Sequence, residues 1–441
     1  AYRGYGATQG IFAVESAVNG LAHKMGMDPV KVKEMNMPIE GGPLPGYPDV
    51  PYAQSCSMDR CMARAKEMMD WDSKYPCRDM GNGKVRGVGV AMAMQGSSIA
   101  GVDVGGADIK LNEDGSYTLA LGCTDMGTGC DTVMAQIAAD CLNTPMDNIV
   151  VFSVDTDISP YDSGSYASAT TYTTGVAVMK ACEELKKKIC KLGAEMMEVD
   201  ERKVDFDGSC VFYDETLEID DGADGNAAGH MTDAEEGYSV DMDAISSENA
   251  QKKVSLKDIA LKGTFFNNIE LQVVKQHSSP ISPPPFMVGM AEVEVDTETG
   301  SVDVLDYVAV VDCGTPINPN LARVQTEGGI AQGIGMALWE DVQYTDKGKI
   351  RNNSFMQYKI PTRQDIGNIS VDFECSYEKS GPFGAKSIGE LVIDTPCPAL
   401  AEAIYNATGV RLTELPMTPE KIAMEILKNR ESTRSGTKVE E

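Results

Sequence analysis

The 441-residue chain is long enough for two or three compact domains, and 42% hydrophobic with 24% charged residues is an ordinary globular composition. A formal net charge of −29 argues against a nucleic-acid partner or an anionic membrane surface, which need clustered Lys and Arg. No apolar run approaches a membrane span and no signal peptide is visible, so a cytoplasmic protein with reduced thiols is expected.

The first residues, Ala1-Tyr-Arg-Gly, carry no initiator Met, which suggests a cleavage or gene-split boundary with upstream sequence elsewhere. Ile11, Val14, Val18 and Leu21 recur at helical spacing over residues 9–25. Asp28 followed by Pro29 opens a second helix. A Pro/Gly connection at 38–50 leads to a helix over 52–72. A β-rich section follows, with a strand at Val85–Met94. The stretches 107–111 and 117–121 flank an Asn-Glu-Asp-Gly-Ser turn as a hairpin. The loop CTDMGTGCDT then enters a helix, 149–154 reads as a strand, and 172–194 as a long helix.

Residues 198–255 are mostly acidic and poor in aromatics, and read as a solvated insert rather than a partner-docking arm. A Pro-rich linker at 278–286 follows. The second half then repeats the first: strands at 291–295 and 302–311 flank DTETG, the loop DCGTPINPN follows, and a Gly-rich helix covers 321–338. Its glycines suit close helix packing. A last helix begins at Thr418-Pro419. The fold class is therefore α+β, with two similar units over 1–197 and 256–441 separated by the insert.

Twelve cysteines include no C-x-x-C pair, and the three histidines stand far apart, so zinc, iron–sulfur and Ser-His-Asp readings lack support. Four Gly-containing loops precede helices: RGYGATQG (3–10), DMGTGCDT (125–132), DSGSYASATT (162–171) and GAKSIGE (384–390). Exposed N–H groups there suit a large anionic cofactor with spread phosphates, yet no loop is a P-loop or a dinucleotide fingerprint. Glu390 closes the last loop with no second acid and no histidine in view. A carboxylate at a helix start is favoured by the helix dipole alone, which is the plain structural reading.

Taken in order, RGYGATQG, GCTDMGTGCDT, DSGSYASATTYTTG, VVDCGTPINPNLARVQTEGGIAQGIG and GAKSIGE resemble the C-terminal half of the molybdopterin-binding subunit of the xanthine dehydrogenase family of molybdenum hydroxylases. The resemblance implies that both units are molybdopterin-binding subdomains of the aldehyde oxidase/xanthine dehydrogenase type. It makes Glu390 the catalytic base beside molybdenum, and Arg3 and Tyr5 part of the substrate pocket. Tyr5 stands where the family often has Phe. Gly4, Gly6, Gly127, Thr128, Gly129, Ala167, Ser168, Gln325, Lys386 and Gly389 become cofactor-binding positions. Thr128 departs from the family's commoner Gln. Gly4 replaces the Cys of the carbon monoxide dehydrogenase branch, which sets the chain apart from it. The metal would be held by the pterin dithiolene, in the cytosine dinucleotide form of the cofactor, with a sulfido or selenido ligand left open.

The implied reaction is hydroxylation of an N-heterocycle with water as oxygen source. Purine and nicotinate substrates stand close, with a lean to purine, and an aldehyde oxidoreductase is a further alternative. Electrons would leave through a [2Fe–2S] subunit and an FAD subunit, and the first half of the molybdopterin-binding region would be a separate partner. A lone carboxylate then suffices, because the metal is the other half of the catalytic pair. A non-catalytic cofactor scaffold is the alternative of another class. An independent hydrolase would need a nucleophile–base pair that the sequence does not show.

Overall fold

The computed structural model describes residues 2–217 and 252–435 except positions 48, 154 and 268. The acidic core of the expected insert lies outside the described residues. Among the described residues, twelve strands and ten helices, with short 3-10 and π turns, follow one another. The first part holds α1 (Ala7–Lys24), α2 (Pro29–Asn36), α3 (Met58–Met69), α4 (Trp71–Lys74), β1 (Cys77–Gly81) and β2 (Lys84–Met94). Then come β3 (Gly105–Leu111), β4 (Tyr117–Leu121), α5 (Cys130–Leu142), β5 (Ile149–Ser153) and α6 (Gly175–Met197). Next are β6 (Val204–Phe206), β7 (Cys210–Tyr213), β8 (Lys253–Ser255), α7 (Leu256–Lys262) and β9 (Gln272–His277). The last part holds β10 (Phe286–Asp296), β11 (Val302–Asp312), α8 (Pro319–Leu338), β12 (Asn368–Phe373), α9 (Pro396–Thr408) and α10 (Pro419–Ser435).

The expected repeat is present, with one more strand in each copy. In one copy the β3–β4 hairpin leads through α5 to β5, which pairs parallel to β4. In the other the β10–β11 hairpin leads through α8 to β12, parallel to β11. Chain order and sheet order part ways, however. One sheet runs β1-β2-β10-β11-β12 and another β5-β4-β3-β9. β2 pairs with β10 from Lys84 opposite Asp296 to Met94 opposite Phe286, so neither sheet is built from 1–197 or 256–441 alone. Residues 204–213 also depart from the expected insert. They form β6 and β7, which pair with β8 in a third small sheet.

The five-stranded sheet is covered on both faces. Met287, Ala291 and Val293 of β10 pack toward α8 and α9, while Val288 and Met290 pack toward α3. That double burial is why β10 is nearly continuous in apolar residues. Each buried Val or Met side chain among them contributes about 1.5–3 kcal/mol of hydrophobic stabilisation. Seven of the twelve cysteines are buried, as small core residues are.

Helix α1 inverts the expected pattern. Val14 and Leu21 are exposed, while Glu15 and Asn19 are buried. Glu15 pairs with Lys33 at 2.8 Å and accepts the Met92 N–H at 2.7 Å, and Asn19 donates to the Val90 carbonyl at 3.3 Å. Hydrogen bonding to β2 and α2 thus outweighs the apolar periodicity.

Candidate active site

The loop that ends in Glu390 is tied down on two sides. The Lys386 N–H donates to the Cys313 carbonyl at 2.7 Å, and its ammonium lies 3.0 Å from Asp312. Ser387 accepts from the Ser97 hydroxyl at 3.0 Å, and its N–H donates back to Ser97 at 3.1 Å. Beyond Glu390, residues 391–393 form one 3-10 turn that seats on α8. Two glycines of α8 make that approach possible. A Cβ on Gly329 would stand 2.3 Å from Val392 Cγ2, and one on Gly333 would stand 2.6 Å from Pro396 Cγ. The glycine run of α8 therefore serves packing, and the packing presents Glu390.

Glu390 does not cap a helix with its side chain. Its carboxylate turns to three other segments. Oε1 accepts the Gly4 N–H at 3.1 Å, and Oε2 accepts from Gln95 Nε2 and the Ser168 hydroxyl, each at 3.1 Å. Donors from the first residues, from the chain just after β2 and from the loop before α6 thus converge on one acid. Ala167 and Ser168 are consecutive non-glycine residues at φ 49° and 56°. Such backbone costs of order 1–3 kcal/mol per residue and is typical of functional loops. Here it brings the Ser168 hydroxyl to Glu390, while the Ala167 carbonyl accepts the Ser98 N–H at 3.1 Å.

Arg3 spans from this acid to α8. Its Nε donates to the Gly389 carbonyl at 2.5 Å, Nη1 to Gln332 Oε1 at 3.2 Å, and Nη2 to the Gln325 carbonyl and Oε1 at 3.2 Å. Burial lowers the affinity of the guanidinium for its proton, and the charges of Glu390 and Asp394 oppose that effect. Gln325 in turn donates to the Gly127 carbonyl at 3.3 Å. The expected residues Arg3, Gly4, Gly127, Ser168, Gln325, Gly389 and Glu390 therefore form one connected group.

Other expected residues are placed differently. The amides of Gly127 and Gly129 already donate to Asp125 at 2.8 and 3.1 Å, and that of Gly6 to Gln9 at 2.8 Å. In this structure the protein's own side chains accept from those amides. Gly127 still leaves open space above its backbone at φ 100°. Thr128 is half-buried between the two glycines. Lys386 is fully buried beside Asp312 and donates to the Ser55 carbonyl, so it braces the loop. Tyr5 is 70% exposed. With Tyr2, Phe12 and Met336 it lines a half-open cavity of about 300 Å³ that Glu390 does not line. Asp125, Cys130 and Asp131 bring ligand atoms within 4.8 Å of one another. Asp125 is committed to the two glycine amides and Asp131 to Ser153, so this cluster reads as loop structure.

Two members of the site had no place in the sequence reading. Gln95 follows an apolar strand directly, and that polar residue was the available signal. Asp394 stands four residues after Glu390 in the run LVIDTP, and it corrects the expectation of no second acid nearby. Asp394 is 1% exposed, with no hydrogen-bond partner on either oxygen among the described residues. Burial, and then the charge of Glu390, push its carboxyl up to about 8.

A molybdenum-pterin group fits these residues. The oxygen Oε1 of Gln95 is buried and unpartnered beside Glu390, an acceptor open to a ligand donor. The groups around Glu390 are amides, a hydroxyl and a guanidinium, which suit a metal that brings its own organic ligand.

Fold and site together define an α+β protein whose centre is one multiply hydrogen-bonded carboxylate. Family models described as molybdopterin cofactor-binding domains match residues 64–367 and 1–37. The chain belongs to the xanthine dehydrogenase family of molybdenum hydroxylases. It is 34% identical over 96% of its length to the "Probable hypoxanthine oxidase XdhD" of Escherichia coli K12, covering 41% of that protein. It is 30% identical over 96% of its length to the xanthine dehydrogenase molybdenum-binding subunit of Escherichia coli O157:H7, covering 52% of it. It is 28% identical to the nicotine 6-hydroxylase large subunit of Paenarthrobacter nicotinovorans, covering 96% of this chain and 50% of that one. The chain thus spans about half the length, or less, of these relatives. Quinoline 2-oxidoreductase from Pseudomonas putida 86 shares the fold with a TM-score of 0.81 at 23% identity, over 97% of this chain and 53% of that one. No helix among the described residues is long and apolar enough to cross a membrane.

Proposed function

We propose that this chain is the molybdopterin-binding catalytic part of a multi-subunit molybdenum hydroxylase that hydroxylates a purine-type N-heterocycle with water as oxygen source. The observation that carries the reading is the carboxylate of Glu390, held by Gly4, Gln95 and Ser168 instead of capping the helix it precedes. A scaffold subunit would have no use for an acid so presented. Gln95, Gly127, Thr128, Ala167, Ser168 and Gln325 would hold the cofactor, in its cytosine dinucleotide form. When bound, that group supplies the two-electron oxidation. Glu390 accepts a proton at its carboxylate as general base. The donors to its two oxygens fix its orientation, and Arg3 holds the preceding carbonyl in place. Tyr5 offers an aromatic ring and a hydroxyl to a polar substrate.

The purine choice rests on relatives named for hypoxanthine and xanthine, at 34% and 30% identity. A nicotinate-type substrate is the second reading, favoured by the 28% identity to a nicotine hydroxylase subunit. The partners are the other half of the molybdopterin-binding region, a [2Fe–2S] subunit and an FAD subunit, in the cytoplasm. Exposure of Val14 and Leu21 on α1, and of the neighbours Phe355 and Met356, supports a subunit contact on this chain.

The test is anaerobic addition of xanthine, hypoxanthine and nicotinate, separately, to the natively purified complex while its iron–sulfur and flavin absorbance is followed. Bleaching by a purine supports the reading. Bleaching by nicotinate alone moves the substrate class, and a molybdenum-free preparation overturns the assignment.

A further inference from the structure

Two carboxyl groups and one guanidinium share the centre of this site, and the two acids are treated very differently. Glu390 receives three donors, the Gly4 amide, the Gln95 amide and the Ser168 hydroxyl, all at 3.1 Å. Donors of this kind stabilise the ionised form. Asp394 receives none, and only 1% of it is exposed. An unpaired carboxylate so enclosed is strongly disfavoured against the neutral acid. Asp394 also lies against the loop that donates to the base. Its Oδ1 is 3.4 Å from where a Cβ on Gly4 would stand, and Gly4 is the residue that donates to Glu390.

The surrounding charges point the same way. The titratable groups that face Asp394 are Arg3 from the first loop, Glu390 from its own segment, and Cys397 from the first turn of α9. Burial, reinforced by Asp394, pushes the Cys397 thiol up to about 12, so it stays neutral near neutral pH. Gln325 and Gln332 of α8 are neutral. One guanidinium therefore faces two carboxyls, and it can balance one negative charge. Arg3 spends its donors on carbonyl and amide oxygens of Gly389, Gln325 and Gln332.

We propose that Asp394 is a positioning residue that carries a proton, forming with Glu390 a two-carboxyl pair with a single negative charge opposite Arg3, so that Glu390 is the sole anion of the site. The neutral acid leaves the Arg3 fork free for Gly389 and α8. Ionisation of Asp394 would put a second charge beside Glu390 and draw Arg3 away from the Gly389 carbonyl. This role rests on the reading of Glu390 as the base, but the charge pair itself can be observed without turnover.

The experiment is infrared spectroscopy of the purified protein, with its native partners, over about pH 6 to about pH 10. The carbonyl band of a protonated carboxylic acid is followed in the wild type, Asp394→Asn and Glu390→Gln. The expected result is a band that disappears on raising the pH through about 8. It should be missing from Asp394→Asn, and its midpoint should move to lower pH in Glu390→Gln, where the neighbouring charge is gone. In the pH profile of kcat/KM, Asp394→Asn should lose the alkaline transition and keep the acid one. A wild type with no such band at neutral pH overturns the proposal, and so does a midpoint that Glu390→Gln leaves unmoved. Those two decide the matter even if Asp394→Asn fails to fold. Full turnover in Glu390→Gln would instead defeat Glu390 as the base, while a shifted band would still establish the pair.

Discussion

The ammonium of Lys386 lies 3.0 Å from a carboxylate oxygen of Asp312, and neither side chain touches solvent. Asp312 also accepts the Ser57 N–H at 2.9 Å, the Gly314 N–H at 2.9 Å and the Ser376 hydroxyl at 2.8 Å. This buried pair joins the Glu390 loop to the end of β11. Removing one partner leaves the other charge uncompensated, which typically costs about 3–5 kcal/mol. Lys386→Ala should therefore lower the urea midpoint strongly at unchanged m-value. Unchanged stability would show that the pair is not closed to water.

Glu390→Gln tests the base more narrowly. The amide oxygen can still accept the Gly4 N–H, so the loop should hold its shape. Loss of a general base costs roughly 100- to 10,000-fold in rate. The expected outcome is wild-type molybdenum content and wild-type unfolding, with kcat reduced by that order. Retained kcat would remove Glu390 from the chemistry.

The pH dependence of stability has a definite sign for Asp394. Its folded carboxyl is raised from 3.8 to about 8, so its favourable contribution is complete below about 3.8 and is lost as the pH rises through 8. Asp394→Asn does not titrate. The stability of the variant relative to the wild type should therefore increase steadily from about pH 4 to about pH 8 and level off above. Thermal unfolding of both proteins across that range measures it. A pH-independent difference would mean that Asp394 titrates as in the unfolded chain.

Local chemistry made much of this fold legible. The turns Asn112–Ser116 and Asp296–Gly300 announced both hairpins, and Asp28-Pro29 announced α2 with Asp28 accepting from Val30 at 2.8 Å. What sequence could not give was set by distant pairing. β12 is a partly buried strand whose place depends on β11, and β2 joins β10 across almost two hundred residues. The site followed the same rule. Loop residues carried a family pattern and were found, whereas Gln95 and Asp394 matter only because the folded chain places them beside Glu390. The motif position of Lys386 likewise says nothing about the carboxylate of Asp312 buried beside it.

The glycines of α8 divide into two kinds. A Cβ on Gly328 meets nothing within 4 Å, while one on Gly333 meets Pro396 Cγ at 2.6 Å and the Ile393 carbonyl at 3.1 Å. Gly328→Ala should stabilise the chain by about 0.5–1 kcal/mol through helix propensity. Gly333→Ala should destabilise it by roughly 1–3 kcal/mol and push the 391–396 segment off the helix. Activity should fall with Gly333→Ala, because that segment directly follows Glu390. Equal effects of the two substitutions would refute the packing role.

Arg3→Lys separates the shape of the cation from its charge. The guanidinium reaches the Gly389 carbonyl, Gln332 and both oxygens of Gln325 at once. A lysine keeps the positive charge opposite Glu390 and Asp394, but its single ammonium cannot span those acceptors. Each lost charge-assisted hydrogen bond is worth about 1.5–3 kcal/mol. The Gly389–Glu390 peptide would then be free to move, and a misplacement of about 1 Å at a reacting group can cost on the order of 100-fold. Arg3→Lys should therefore lower kcat far more than it raises KM. Arg3→Gln removes the charge as well as the fork, so its kcat should fall at least as far as that of Arg3→Lys. A wild-type kcat in Arg3→Lys would show that the guanidinium geometry has no part in holding the base.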